Sequence, residues 1–255
     1  MFEQVRGELG PEAEAAAPLV APTSTPAPAA PTASAASSGD GLHITVAETI
    51  SAKLSREGSL EAFEVKGDLQ LRISDASMTQ VKVNLAMGDI RGAQLNSHPR
   101  VDKMAFKNQK IIQLQDTSKG FPVNNSIGVM RWRVLAKPGE ISDPPITFIA
   151  WVNEGSSGTY NVTLEYELTG GDSLKDVTVT IPYATSEPSV SSFDAVYEVS
   201  GDSIDWTIGD VSEDNSTGSF EFEAQAQSES EFFPMNVRFT KTQPFVDIDV
   251  SDYML

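Results

Sequence analysis

Period-two alternation is the feature that most narrows what this chain folds into. It is clearest at Tyr160, Val162, Leu164, Tyr166 and Leu168, which share one parity while Glu165 and Glu167 hold the other. Successive side chains of a strand point to opposite faces, so such a stretch is a strand with one face buried and one in water. The same pattern joins Ile44, Val46, Ile50 and Leu54, and, past a turn at Gly58, Phe63, Val65, Leu69, Leu71 and Ile73. Stretches rich in β-branched and aromatic residues follow at 81–85, 129–135, 146–152, 177–181, 196–199, 204–208, 220–224, 235–240 and 245–250. Gly, Pro, Asn, Asp and Ser fill the gaps, which are turn residues. Many short strands with turn signals between them predict an all-β chain of β-sandwich architecture. One stretch departs from the pattern. Residues 99–108 carry Pro99 at a plausible first turn, a partial apolar face of Val101, Met104 and Phe106, and Lys103 and Lys107 four apart, which predicts a short helix.

Composition excludes several chemistries. The chain has no Cys, so disulfides, Cys-ligated metals and a thiol nucleophile are out of reach. It has two histidines, His43 and His98, and no phosphate-binding glycine loop, dinucleotide fingerprint or His-Glu-x-x-His. His43 falls on the polar parity of a strand and is expected partly exposed. His98 precedes Pro99 and is expected to make a local hydrogen bond rather than to act as a base. Asp247 and Asp249 alternate with Val246, Ile248 and Val250, which places them on the water side of a strand rather than in an ion site. The reading is therefore of a protein that is not an enzyme and holds no metal or cofactor. No run of apolar residues is long enough for a membrane-spanning helix, and no secretory signal opens the chain.

The formal net charge of −18 argues against general nucleic-acid binding. It is unevenly spread. Residues 41–137 hold nine acids and fourteen bases, and residues 138–255 hold twenty-two acids and three bases. Such asymmetry suggests two surfaces with different partners. Residues 1–41 are rich in Ala, Pro, Ser and Thr, with six prolines between Pro11 and Pro31, and read as a disordered, semi-extended linker. Within the basic middle, Lys103, Lys107, Lys110, Arg131 and Arg133 lie near Phe106, Phe121 and Trp132. Cations beside aromatic rings suit an acidic peptide with an aromatic anchor. Trp132 itself reads as core, with Arg131 and Arg133 on the opposite parity.

Several motifs occur in a recognisable order: Gly92-Ala93-Gln94-Leu95, then His98-Pro99-Arg100-Val101-Asp102-Lys103 with Phe106, then Phe121-Pro122-Val123-Asn124 and Gly128-Val129-Met130-Arg131-Trp132-Arg133. Later come 162–168, 177–182, Ile204-Asp205-Trp206, 218–222 and Phe232-Phe233-Pro234. Over residues 42–250 this order resembles the delta subunits of coatomer, the COPI vesicle coat. The resemblance implies a mu-homology domain: an elongated all-β fold of two β-sandwich subdomains, the second inserted in the first. The first would comprise 42–137 plus 232–255, and the second 138–231. It also implies a non-enzymatic coat subunit of the cytoplasm, peripheral on Golgi membranes and COPI-coated vesicles, working in retrograde Golgi-to-ER and intra-Golgi transport. Its implied partners are other coatomer subunits and a tryptophan-motif peptide of an ER tethering complex. The expected peptide face is Lys103, Phe106, Lys107, Lys110, Arg131 and Arg133.

Two departures from the family pattern are expected to matter. Delta subunits carry a longin-like domain ahead of the linker, of which Met1–Leu9 would be the last helix. A connecting stretch of roughly twenty residues would also be missing between Val250 and Asp252, leaving an exposed sheet edge. The alternative reading is an extracellular carbohydrate-binding or adhesive β-sandwich, which would call for aromatic platforms and a secretory signal.

Overall fold

The computed structural model describes residues 41–136 and 144–255. The linker expected over 1–41, apart from Gly41, and the charge boundary at 137 lie outside the described residues. The chain is all-β in its main elements. A long hairpin opens it, β1 (Leu42–Leu54) and β2 (Leu60–Ile73), followed by β3 (Lys82–Met87), β4 (Gln94–Ser97), the helix α1 (Lys103–Gln109), β5 (Ile111–Ile112) and β6 (Ser126–Ala136). Then come β7 (Ile146–Glu154), β8 (Thr159–Leu168), β9 (Leu174–Pro182), β10 (Ser189–Val190), β11 (Val196–Ser200), β12 (Ser203–Val211) and β13 (Thr217–Gln225). Two strands close it, β14 (Asn236–Lys241) and β15 (Ile248–Met254).

Four antiparallel sheets form two cores. The first core lies between the sheet β1-β2-β6-β4 and the sheet β15-β3-β5, with Val65, Leu69, Leu71, Val83, Met130 and Ile248 among its buried residues. The second lies between β10-β13-β8-β7 and β11-β12-β9-β14, around Val162, Leu164, Val179, Trp206, Phe220 and Phe222. The alternation that predicted the strands is the alternation of burial. Tyr160, Val162, Leu164 and Tyr166 of β8 are buried, and Asn161, Glu165 and Glu167 are exposed.

Two expectations need correction. Residues 232–241 were expected in the first sandwich. Instead β14 pairs with β9, Val237 opposite Val179, and Phe232 lies in the second core. The chain returns to the first core only at Phe245, because β9 would otherwise be a bare edge with the apolar row Val177, Val179 and Ile181 beside it. The helix starts at Lys103, not near Pro99. Asp102 is its N-cap, its carboxylate accepting from the backbone N–H of Met104 and Ala105, while Val101 forms a β-bridge with Leu114. A carboxylate that satisfies two orphan N–H groups outweighs a proline that merely tolerates the first turn. At the C-terminus, β15 runs along β3. Ile248 sits opposite Met87 and Met254 opposite Lys82, with a register shift between Val250 and Asp252.

The closure of the first sandwich centres on one row. Glu48, Gly67 and Trp132 stand side by side on β1, β2 and β6. Gly67 has to be glycine, since a Cβ there would sit 1.8 Å from Cε2 of the Trp132 ring. The indole lies over Gly67 and donates its Nε1–H to Glu48 Oε1 at 2.6 Å. The same carboxylate accepts the backbone N–H of Val246 at 3.2 Å and that of Phe245. Burial of Trp132, expected from parity, is thereby linked to the docking of the returning chain.

The tip of the β1–β2 hairpin leaves its own sheet and rests on the second sandwich. Ala150 N–H donates to the Arg56 carbonyl at 2.9 Å, and the Arg56 guanidinium meets Glu229 at 2.6 Å. Gly58, at the positive φ of +82° that favours glycine, turns the tip against Ile149 and the Phe148 carbonyl, where a Cβ would be tight at 3.0 and 3.1 Å.

Candidate peptide-binding face

The residues expected to bind an acidic peptide fall on two elements. Lys103, Phe106 and Lys107 lie on α1, and Lys110 is its C-cap in the left-handed region at φ 59°. The Asp102 cap sets where the helix begins and so which side chains face water. Backbone donation from Ala105, then the Gln113 amide, holds the Asp102 carboxyl below the ordinary carboxylate value. Ala105 is buried, whereas Lys103, Lys107 and Lys110 are exposed. Phe106 is half-buried, and the Lys110 ammonium stands 5.9 Å from its ring centroid. Met104, expected on the apolar face, is 66% exposed instead. Among the described residues, Lys103, Lys107 and Lys110 form no ion pair, so their charge is available to a ligand.

Arg131 and Arg133 lie on the outer face of β6, as parity required. Their surroundings differ from those of the lysines. Arg133 Nε meets Glu64 at 2.5 Å, and Glu64 is also held by Lys66 at 3.1 Å. Lys66 and then Arg133 lower the Glu64 carboxyl below its ordinary value, so it stays ionised beside them. Arg131 faces Asp68 at 3.6 Å. The register that sets β2 beside β6, Lys66 opposite Arg133 and Asp68 opposite Arg131, supplies these acids. The stretch Glu64–Asp68 carried the signal, but its pairing with β6 was not legible without the sheet order. Phe121 and Trp132 are core residues at 3% and 2% exposure, so Phe106 is the aromatic ring of this group that water reaches.

His98 behaves as a structural residue: its Nδ1 accepts from the Arg100 N–H at 3.2 Å. Among the described residues, no group of three or more His, Asp or Glu is arranged to hold a metal ion. No helix is long and apolar enough to cross a membrane among the same residues. Sequence reasoning also did not anticipate a cavity of about 1060 Å³ between the hairpin tip, Pro144–Ile146 and β14, lined by Leu54, Phe148, Phe233, Met235 and Phe239.

Comparison with known proteins fits this architecture. The adaptor complexes medium subunit family matches residues 28–254. The coatomer subunit delta of Dictyostelium discoideum is 36% identical over 215 residues, covering 83% of this chain and 38% of that protein. The coatomer subunit delta of Saccharomyces cerevisiae is 35% identical over 218 residues, covering 80% and 39%. The chain thus spans about two-fifths of the length of the curated relatives it matches. Among solved structures, the yeast delta-COP-I mu-homology domain superposes with a TM-score of 0.72 at 29% identity, covering 88% of this chain and 90% of that one. The same yeast domain complexed with a Dsl1 WxWxV peptide gives a TM-score of 0.68 at 32% identity, covering 82% of each.

Proposed function

Because this chain belongs to the adaptor complexes medium subunit family and has the delta-COP mu-homology fold, we propose that it works as a COPI coat subunit that captures a peptide partner. Members of this family are coat and adaptor components and not enzymes. The partner is a tryptophan-containing acidic segment of an ER tether, and the setting is retrograde Golgi-to-ER and intra-Golgi transport. Other coatomer subunits hold the chain on the cytoplasmic face of Golgi membranes and vesicles.

The observation that carries this reading is the exposed, unpaired lysine set of α1 beside the partly open Phe106 ring. Indole affinity comes from apolar contact, and acids flanking it meet cations. Lys103, Lys107 and Lys110 meet those acids first. Arg131 and Arg133 must exchange Asp68 and Glu64 for ligand carboxylates, so they add less. The relative complexed with a WxWxV peptide supports the ligand class.

The double substitution Lys103→Glu, Lys107→Glu is expected to weaken an acidic WxWxV peptide by at least about tenfold in calorimetry, while Arg131→Ala costs less than about threefold. Unchanged affinity in the lysine variant, with an unchanged melting temperature, overturns the assignment. A glycan-binding sandwich would expose an aromatic platform. Trp206 is buried, and the exposed Trp151 is tied to Glu165 through its Nε1–H at 2.9 Å.

A further inference from the structure

The second sandwich carries a surface of opposite character to α1. From Asp176 to Val237 the sequence holds no Lys, Arg or His, against thirteen Asp and Glu. Where the chain crosses from one sheet of this sandwich to the other, between β10 and β11, it exposes apolar side chains instead of covering them. Phe193 is 90% exposed, Val196 67% and Tyr197 40%. Tyr197 is held in place by its ring, 5.8 Å edge-on from that of Phe220, so the patch rests on the core rather than on a loose loop. The crossing is further tied to β13, since Ser191 N–H donates to the Glu221 carbonyl and the Ser192 hydroxyl accepts from Glu221 N–H at 2.9 Å each.

These residues also begin an open sheet edge. β11 is the outermost strand of its sheet, paired on one side with β12. Edges are normally guarded by lysine, proline or a bulge. β11 has none of these over Val196–Ser200; its charge is Glu198, which stands directly across from Asp205. Two carboxylates opposite one another repel. A cation placed between them relieves that repulsion, and a neutral or acidic partner does not.

We propose that the β11 edge is a second docking surface, for an extended basic segment of another protein that carries an apolar side chain two residues from a cation, on the same face. The main chain of the segment pairs with β11. Its apolar side chains cover Phe193 and Val196, and its cation meets Glu198 and Asp205. Apolar anchors set the residence time, and the field of the acidic sandwich sets the rate of encounter and its salt dependence. This site is separate from the α1 face and selects a partner of the opposite charge.

The test uses the whole chain and a short synthetic peptide that places valine and arginine two residues apart, with threonine between them, so that both fall on the face of Val196 and Glu198, alongside a twin with glutamate for arginine. The arginine peptide is expected to bind with an affinity that falls as salt rises, to slow amide exchange over 196–200, and to leave the twin unbound. Phe193→Ser with Val196→Thr, both at exposed positions, weakens it by at least about tenfold, as does Glu198→Lys. Both variants keep their affinity for the acidic WxWxV peptide, so failure here is distinguishable from failure at α1. The proposal is overturned if the arginine peptide does not bind. It is also overturned if the peptide binds the Phe193/Val196 variant equally well, which reports net charge alone. Concentration-dependent self-association of the chain that this variant abolishes overturns it too, since the occupant is then a second copy.

Discussion

The first sandwich pairs four of its carboxylates with cations and docks its returning strand on a fifth, Glu48, whereas the second leaves most of its carboxylates without an ion pair and is held by stacked rings. In the first, Lys53 meets Glu61, Lys66 and Arg133 meet Glu64, Lys119 meets Asp116 and Arg131 faces Asp68. In the second, Lys241 with Asp172 is the internal ion pair among the described residues, and Arg56 is lent to Glu229 by the hairpin. Its core compensates with aromatic packing: Trp206 stacks on Phe220 at 5.0 Å, and Phe232 meets Phe222 at 5.5 Å and Tyr160 at 6.0 Å. Exposed ion pairs contribute little, while a buried ring contributes several kcal/mol, so a sandwich can carry a repulsive surface if its core is aromatic. The surface is then free to serve recognition.

The largest expected effect strikes the aromatic side of this comparison. Phe220→Ala removes a fully buried ring that Trp206, Tyr197 and Phe222 all contact, and should cost about 3–5 kcal/mol in denaturant unfolding. Amide exchange should rise in β7–β14 and stay low in β1–β3. Next, Glu48→Ala leaves the Trp132 indole and the N–H groups of Phe245 and Val246 without their acceptor, at a cost of about 3 kcal/mol. Faster exchange in β15 but not in β13 would mark the loss as local to the first sandwich. Gly67→Ala drives a methyl into the Trp132 ring and should cost about 1–3 kcal/mol, with blue-edge tryptophan emission disturbed.

Two changes of solvent separate the sandwiches further. The carboxyl of Asp116 is pulled down to about 2 by the Ser118 hydroxyl and by Lys119, and those of Asp102, Asp75 and Glu64 lie below their ordinary values. A carboxyl lowered by folding stabilises the fold above its unfolded value and loses that contribution as pH falls through the folded one. Between the ordinary value of 3.8 and about 2, the first sandwich therefore weakens. In the second sandwich Glu231 is lowered as well, chiefly by the Gln227 N–H, but the first holds more such carboxyls, so exchange should accelerate first in β1–β6. The smallest effect is ionic. Raising salt screens the acids of the second sandwich and should lift its unfolding by about 4 °C, leaving the first nearly unmoved.

Strand positions were legible because burial alternates where the sequence alternates. Partnership was not. β14 looks, by its own residues, equally suited to either sandwich, and only its pairing with β9, more than fifty residues upstream, decides. β4, β5 and β10 are two to four residues long, too short for a period to show. The candidate face was half legible. Its lysines are where the Asp102 cap places them, but the pairing of Arg133 with Glu64 spans 69 residues and depends on register. Trp132 was readable as core, yet the carboxylate it seeks lies 84 residues away, across a glycine whose purpose the sequence does not announce.

The Glu48 carboxylate has a consequence for how the molecule is made. Its backbone ligands at Phe245 and Val246 lie 197 and 198 residues further along the chain. A chain emerging from the ribosome presents β1, β2 and β6 long before those groups exist, while every strand of the second sandwich lies between Ile146 and Lys241. Contacts within one continuous stretch form sooner than contacts that must wait for the last residues. During synthesis, then, the inner module completes first, and the outer one stays open around it until the final strand arrives and meets Glu48.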